Sequence, residues 1–248
     1  MHESVRNVIS ATLTAVFLGL VPAHAGATDE PAPADYSKID AASVLGWGNT
    51  HTSIPEYAQF ENSLEELRQY GVSYVGMEIF PEDLQPTINA YFQSKKRDED
   101  DESLLKIQES LENLWHPGVP NETEIKMSLM DVVKRIKATP GLQMLALEPA
   151  GLKMDLTKPL PTDPNNPLYH RDSNWVKVIQ QILAQDRNAK IVVFAGTGHF
   201  TAAPEQPWTV KLLGEANPPI RFAILREPSD AKEKAQSLLK SGIPSPPP

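Results

Sequence analysis

The stretch "IVVFAGTGHF", Ile191 to Phe200, is apolar through Ala195 and rich in β-branched residues. A run of that length and composition reads as a strand buried on both faces, the kind a parallel sheet uses. It then breaks into Gly196-Thr197-Gly198-His199, where glycines let the chain turn sharply off the strand and present the imidazole at the rim. "SVLGWGNTHT" (43–52) ends in the same way, with Gly48-Asn49-Thr50 leading to His51. Two further apolar runs end in carboxylates, "VGMEIF" (75–80) at Glu78 and "LALEPAG" (145–151) at Glu148. Stretches of helical period separate these runs, which is the pattern of βα units feeding a parallel sheet. The expected fold class is therefore α/β: a mainly parallel central sheet flanked by helices.

Outward from these runs, strands are expected near 43–47, 73–79, 142–147, 190–195 and 220–225. The helix after the first strand is well marked: Ser53 is placed to cap it and Pro55 sits in its first turn. Tyr57, Phe60, Leu64 and Leu67 share one face, and Gly71 stops it. Further helices fit 83–94, 103–114, 123–138, 173–186 and 229–241, so the region 82–138 reads as a helical insertion between the second and third strands. "KKRDEDDE" (95–102) reads as a solvated connection, since its acidic residues lack the glycine and spacing of a calcium loop.

The N-terminal segment "VISATLTAVFLGLVPAHA" (8–25) sits behind Arg6 and closes with Ala23 and Ala25 in an A-x-A pattern, which reads as a cleavable export signal. Its apolar part is short for a spanning helix, which needs ~20 residues, so no integral membrane segment is expected after cleavage. The location expected is the periplasm or the medium. The chain has no cysteine, which excludes a disulfide, a thiolate metal site, a thiol nucleophile and a lipid-anchoring cysteine. A net charge of −9 disfavours nucleic acid and anionic membranes as partners. The 23 prolines cluster in "EPAPADY" (30–36), "KPLPTDPNNP" (158–167) and "PSPPP" (244–248), which reads as a tail, a loop and a tail. The organisation expected is a signal peptide over 1–25, a flexible linker over 26–41, one domain over 42–241 and a Pro-rich tail over 242–248.

In an open parallel sheet, ligands bind beyond the carboxyl ends of the strands. His51, Glu78, Glu148 and His199 are all expected at that edge. Glu78 lies in an otherwise apolar strand, where an ionised carboxylate needs a partner. Glu148 precedes Pro149, and a strand-end surface residue and a functional one stay equally open. "YHRDSNW" (169–175) opens a helix in which Asp172 or Ser173 is a natural N-cap. Arg171 is left without a structural task, and beside a helix N-terminus it suits a carboxylate, phosphate or oxyanion. His116 reads as an ordinary loop histidine. Activating water requires a neutral histidine, an acid to orient it and a cation for developing oxyanion charge; His51, Glu78, His199 and Arg171 supply those parts. His51, Glu78 and His199 are equally the ligand set of a divalent metal ion with an open position.

Four segments together resemble the ChaN family and its wider superfamily, which includes the erythromycin esterases and the TIKI/TraB proteins: "LGWGNTHTS" (45–53), "MEIFPEDLQPTINAY" (77–91), "YHRDSNW" (169–175) and "VVFAGTGHF" (192–200). The second segment, through Glu78, Phe80, Gln85 and Tyr91, looks more like the ChaN form than the esterase form. There are departures. Asn49 stands where such sequences usually carry glutamate, Trp175 stands where methionine follows the Arg-Asp pair, and the ChaN lipoprotein cysteine is missing. The resemblance implies haem or iron-related binding first, a hydrolase of esterase or metal-dependent peptidase type second, and a non-catalytic exported binding module third. Haem requires a wide apolar slot with axial His or Tyr ligands, for which His51, Tyr57, Tyr91 and Tyr169 are candidates. The ligand pocket implied includes Asn49, Tyr57, Glu148, Tyr169 and Asp172, with haem or a divalent metal ion as cofactor. The expected partner is a small-molecule ligand, and a homodimer stays open.

Overall fold

The computed structural model describes residues 31–114, 121–151, 170–200 and 209–227. Among the described residues there are five strands: β1 (Val44–Asn49), β2 (Val72–Pro81), β3 (Gln143–Glu148), β4 (Lys190–Gly196) and β5 (Phe222–Arg226). They form one sheet in the order β3-β2-β4-β1-β5, and every neighbouring pair is parallel. The sheet is thus fully parallel, and its β1 and β4 are buried along nearly their whole length, as their unbroken apolar runs require.

The helices are α1 (Ile54–Gln69), α2 (Gln85–Gln93), α3 (Glu102–Leu114), α4 (Glu122–Ala138), α5 (Arg171–Gln185) and α6 (Thr209–Glu215). Helices α2, α3 and α4 all fall between β2 and β3, which is the expected insertion. Helix α1 buries Tyr57, Phe60, Leu64 and Leu67 as its spacing foretold. The chain leaves it through Gly71 at φ +89°, a conformation that disfavours any residue with a Cβ. On this side of the sheet Phe60 stacks on Phe194 at 4.3 Å between centroids and meets Trp47 edge-on at 5.1 Å. The opposite side packs Trp175 and Ile179 of α5 and Leu213 of α6 against Leu147, Val193 and Ala195. Among the described residues no helix is long and apolar enough to cross a membrane.

Several expectations are corrected. Residues 36–41, expected as linker, form a 3-10 helix that buries Ile39, and the Asp35 N–H donates to Leu225 O at 2.7 Å. A packed element therefore precedes residue 42. Ser53 stands at the cap position of α1 but its side chain makes no cap hydrogen bond. Asp101, expected on the surface, is buried and accepts the Ser103 N–H at 2.9 Å, which caps α3. Helix α5 starts at Arg171, so neither Asp172 nor Ser173 is its N-cap. The signal segment, His116, the loop at 158–167, Tyr169, the helix expected over 229–241 and the tail over 242–248 lie outside the described residues.

Candidate active site

Of the buried charged residues among those described, Glu56, Glu78, Glu148, Arg171, Asp172, His199 and Arg226 lie at the carboxyl edge of the sheet, with Asp101 the exception. That distribution has a simple origin. The buried middles of the strands are apolar, and the buried carboxylates and cations come in toward the carboxyl ends, where the loops converge.

Glu78 is the hub. Its Oε1 accepts from Arg171 Nη2 at 2.6 Å and faces His199 Nε2 at 3.1 Å. Its Oε2 accepts the Gly196 N–H at 2.6 Å and lies 3.4 Å from His51 Nε2. The two imidazoles, 148 residues apart in sequence, thus meet on one carboxylate. Strand β2 loses register with β3 between Met77 and Pro81, an irregularity of the sort that re-aims a side chain beside a functional site. Gly196 pairs with Asn49 across β4 and β1, and a Cβ at residue 196 would collide with the His51 ring. The glycine therefore creates the space in which His51 lies against the sheet.

The remaining members are linked to one another. Arg171 donates through the same Nη2 to Glu148, and its guanidinium lies over the Trp175 ring at 5.3 Å. His199 Nδ1 pairs with Asp172 at 2.8 Å, and Asp172 Oδ2 also accepts the Thr209 N–H and hydroxyl, both at 2.7 Å. The Trp175 ring packs at a tilt against the His199 ring, 4.3 Å between centroids. The Asn49 side chain accepts the His51 N–H at 2.8 Å, and Tyr57 donates its hydroxyl to His51 O at 3.1 Å.

These contacts drive the two histidines apart. Burial opposes a charge on His199, yet Asp172 and Glu78 lift its pKa to about 9. Burial pushes His51 below the ordinary imidazole value, with Glu78 pulling the other way. The His51 side chain is 28% exposed against 5% for His199, so water softens the His51 depression. Glu78 is held well below the usual carboxylate range; burial works against ionisation, but His51, His199 and Arg171 outweigh it. Burial pushes Glu148 up to about 7 despite Arg171. Near neutral pH the site holds an imidazolium at 199, a neutral imidazole at 51 and an ionised Glu78.

A consequence for stability follows from His199. It binds its proton more tightly in the folded chain than in the unfolded one, so its stabilisation is complete below about pH 6.5 and is lost as pH rises through about 9. The shift corresponds to about 3 kcal/mol. The raised pKa of Glu148 lowers stability in the same direction from about pH 4.5 to 7. No cysteine thiol titrates in this range. Thermal midpoints measured from pH 6 to 10 are expected to fall along this limb, in step with the His199 titration followed by NMR. A flat limb would refute the assignment.

The expected site residues are thus sorted by the structure. His51, Glu78, Glu148, Arg171, Asp172 and His199 converge. Tyr57 is buried, holds the His51 loop by its hydroxyl and lines the space beside His51. Tyr91 is buried in α2 and donates to Asp98 at 2.9 Å beneath Lys137, which removes it as an axial ligand. The metal set His51, Glu78 and His199 does not fit: among the described residues no group of three such side chains is arranged for an ion. The physical reason is that the Arg171 guanidinium already bridges Glu78 and Glu148, and both His199 nitrogens face carboxylates. The space beside His51 is lined by Asn49, Tyr57, Met77, Glu78, Ile79, Leu129 and Phe194 and is too narrow to hold a water molecule. Ordinary ligand pockets enclose about 300–1,000 Å³, so these residues do not enclose a haem. Sequence reading missed Glu56, Arg226 and Thr209; buried at strand or helix ends, they carry no motif.

Fold and site together define an α/β domain with a buried acid–base cluster at the carboxyl edge of a parallel sheet. No protein-family description matches the sequence, and no characterised protein matches it by sequence comparison. Among solved structures the chain is similar to the type III effector HopBA1, at 11% identity over 70% of this chain and 78% of that one, with a TM-score of 0.45. It is similar to RRSP, a MARTX toxin effector domain from Vibrio vulnificus CMCP6, at 17% identity over 65% of this chain and 28% of that one, with a TM-score of 0.42. It is also similar to ChaN of Campylobacter jejuni, a structure with cofacial haem binding, at 10% identity over 74% and 80% of the two chains, with a TM-score of 0.40. At such values the likeness is one of distant fold.

Proposed function

We propose that the site hydrolyses a neutral acyl compound, an ester or amide, by general acid–base catalysis. One observation carries the reading: two histidines share a single carboxylate while their surroundings push their proton affinities in opposite directions. Environments that split paired titratable groups in this way separate a fixed charge from a neutral group able to act as base. His51 is the base. Glu78 beside Nε2 favours the tautomer with the proton there, which leaves the unpartnered Nδ1 lone pair to take a proton from water once substrate opens the enclosed space beside it, and to return that proton to the leaving alkoxide or amine. His199 and Arg171 are sealed away from solvent, so they act by keeping Glu78 ionised and by supplying a positive field. The residues around His51, apolar Met77, Ile79, Leu129 and Phe194 together with the Glu78 carboxylate and no lysine or arginine, favour an uncharged group over a phosphate or carboxylate. The segment over 8–25 supports action outside the cytoplasm.

The mature protein is expected to turn over members of a panel of neutral esters and anilides without added metal. Its rate should rise with pH along a limb set by His51, placed below the ordinary imidazole value of about 6.5. A panel that yields no turnover, or a limb that survives replacement of His51, removes the proposal. The exposed edge of His51 favours haem as a second reading. A saturable Soret band on adding haemin, lost with His51→Asn, would put it first.

A further inference from the structure

We propose that Arg226 is a positioning residue for His51, acting through Glu56 and the Gly48 carbonyl; this rests on the reading of His51 as the base. Arg226 ends the edge strand β5 and is 1% exposed. It reaches its place by a break in register: Gly46 pairs with Ile224, but the next residue, Trp47, pairs with Arg226, so Leu225 is passed over. Strict alternation would put residue 226 on the face of Ile224, which packs with α5 and α6. The extra residue sets it opposite Trp47, on the face covered by α1.

From there Arg226 donates to Gly48 O and, at 2.5 Å, to Glu56 Oε1. The other Glu56 oxygen accepts the Thr50 N–H at 2.7 Å and the Thr50 hydroxyl at 2.9 Å. Glu56 lies in the first turn of α1, where a carboxylate that reaches back to an earlier N–H is favourable. The backbone is thereby held on both sides of Asn49. His51 follows immediately at φ +59°, a left-handed conformation that a non-glycine residue keeps only when its surroundings over-determine it. Side chains do so here at four points: Arg226 on Gly48 O, Glu56 on Thr50, Asn49 on the His51 N–H, and Tyr57 on His51 O. A buried ion pair adds little stability over apolar residues of the same shape. What this one adds is a fixed geometry for the turn that lays His51 against Gly196.

The test uses Arg226→Met, which keeps most of the volume, alongside Glu56→Gln and Thr50→Val, which remove single links and leave Arg226 in place. Two readouts need no substrate: the His51 ring signals in histidine-labelled NMR spectra, and the rate at which diethyl pyrocarbonate modifies His51, followed by peptide mass spectrometry. In folded Arg226→Met or Glu56→Gln protein, the His51 signals should move and its modification rate should change at least threefold, with the His199 signals unmoved. Turnover of the ester probe should fall about 10–100-fold in kcat with KM little changed. Arg226→Lys, which retains charge without the fork, should rescue only in part. If Arg226→Met does not fold, the two single-link variants decide. His51 signals and reactivity matching wild type in any folded Arg226→Met or Glu56→Gln protein overturn the proposal. Absence of turnover alone removes the hydrolytic reading and leaves the His51 readouts standing.

Discussion

Replacing His51 by asparagine is expected to lower turnover of the ester probe by about 10²–10⁴-fold, the usual contribution of a positioned general base, while moving stability by less than about 1 kcal/mol. The two halves of this expectation have separate causes. Asparagine tolerates the left-handed backbone that His51 adopts at φ +59°, so the turn survives where alanine would add strain. The lost imidazole makes no close hydrogen bond: its Nε2 stands 3.4 Å from Glu78, and its Nδ1 has no partner. Glu78 keeps Arg171, His199 and the Gly196 N–H, so its charge stays compensated. Steady-state kinetics on the variant, paired with a urea titration, separate the effects. Unchanged turnover by a folded protein would take His51 out of the chemistry.

The sequence carried the sheet and four of its edge residues because both signals are local. An apolar run bounded by glycines needs no distant partner to be recognised, and the end of such a run places His51, Glu78, Glu148 and His199 without knowledge of their contacts. Asp172 shows where local reading stops. Its position at a helix start made an N-cap the economical account, yet it pairs with His199 and Thr209, which follow it by 27 and 37 residues. Arg226 is harder still. Its strand follows an ordinary alternation, and only the register break beside Trp47, a property of two paired strands, turns it inward. Tyr57 and Tyr91 meet the same limit, since a helical spacing gives the face of a tyrosine but not whether its hydroxyl is already engaged.

Arg171 is where the site and the fold depend on each other most. Arg171→Met should lower unfolding free energy by about 3–5 kcal/mol, the range for breaking a buried ion pair from one side, out of the 5–15 kcal/mol that domains ordinarily possess. Glu78 and Glu148 both bond its Nη2, so the variant leaves two buried carboxylates facing each other with His199 as their nearest cation. The loss should grow with pH. Glu148, already pushed up to about 7, can hold a proton at pH 6 and so relieve the repulsion, whereas at pH 8 it must ionise beside Glu78 or keep the proton at rising cost. Adding Glu148→Gln to Arg171→Met removes one charge and should recover part of the loss, with a coupling of about 0.5–3 kcal/mol in a double-mutant cycle. Arg171→Lys should not rescue fully, because a point charge on a flexible stem cannot reproduce the planar guanidinium that lies over the Trp175 ring. Urea titrations of the wild type, Arg171→Met, Glu148→Gln, their double variant and Arg171→Lys at pH 6 and pH 8 measure all of this. A loss under about 1 kcal/mol, or one identical at the two pH values, would mean that Arg171 does not hold the two carboxylates together.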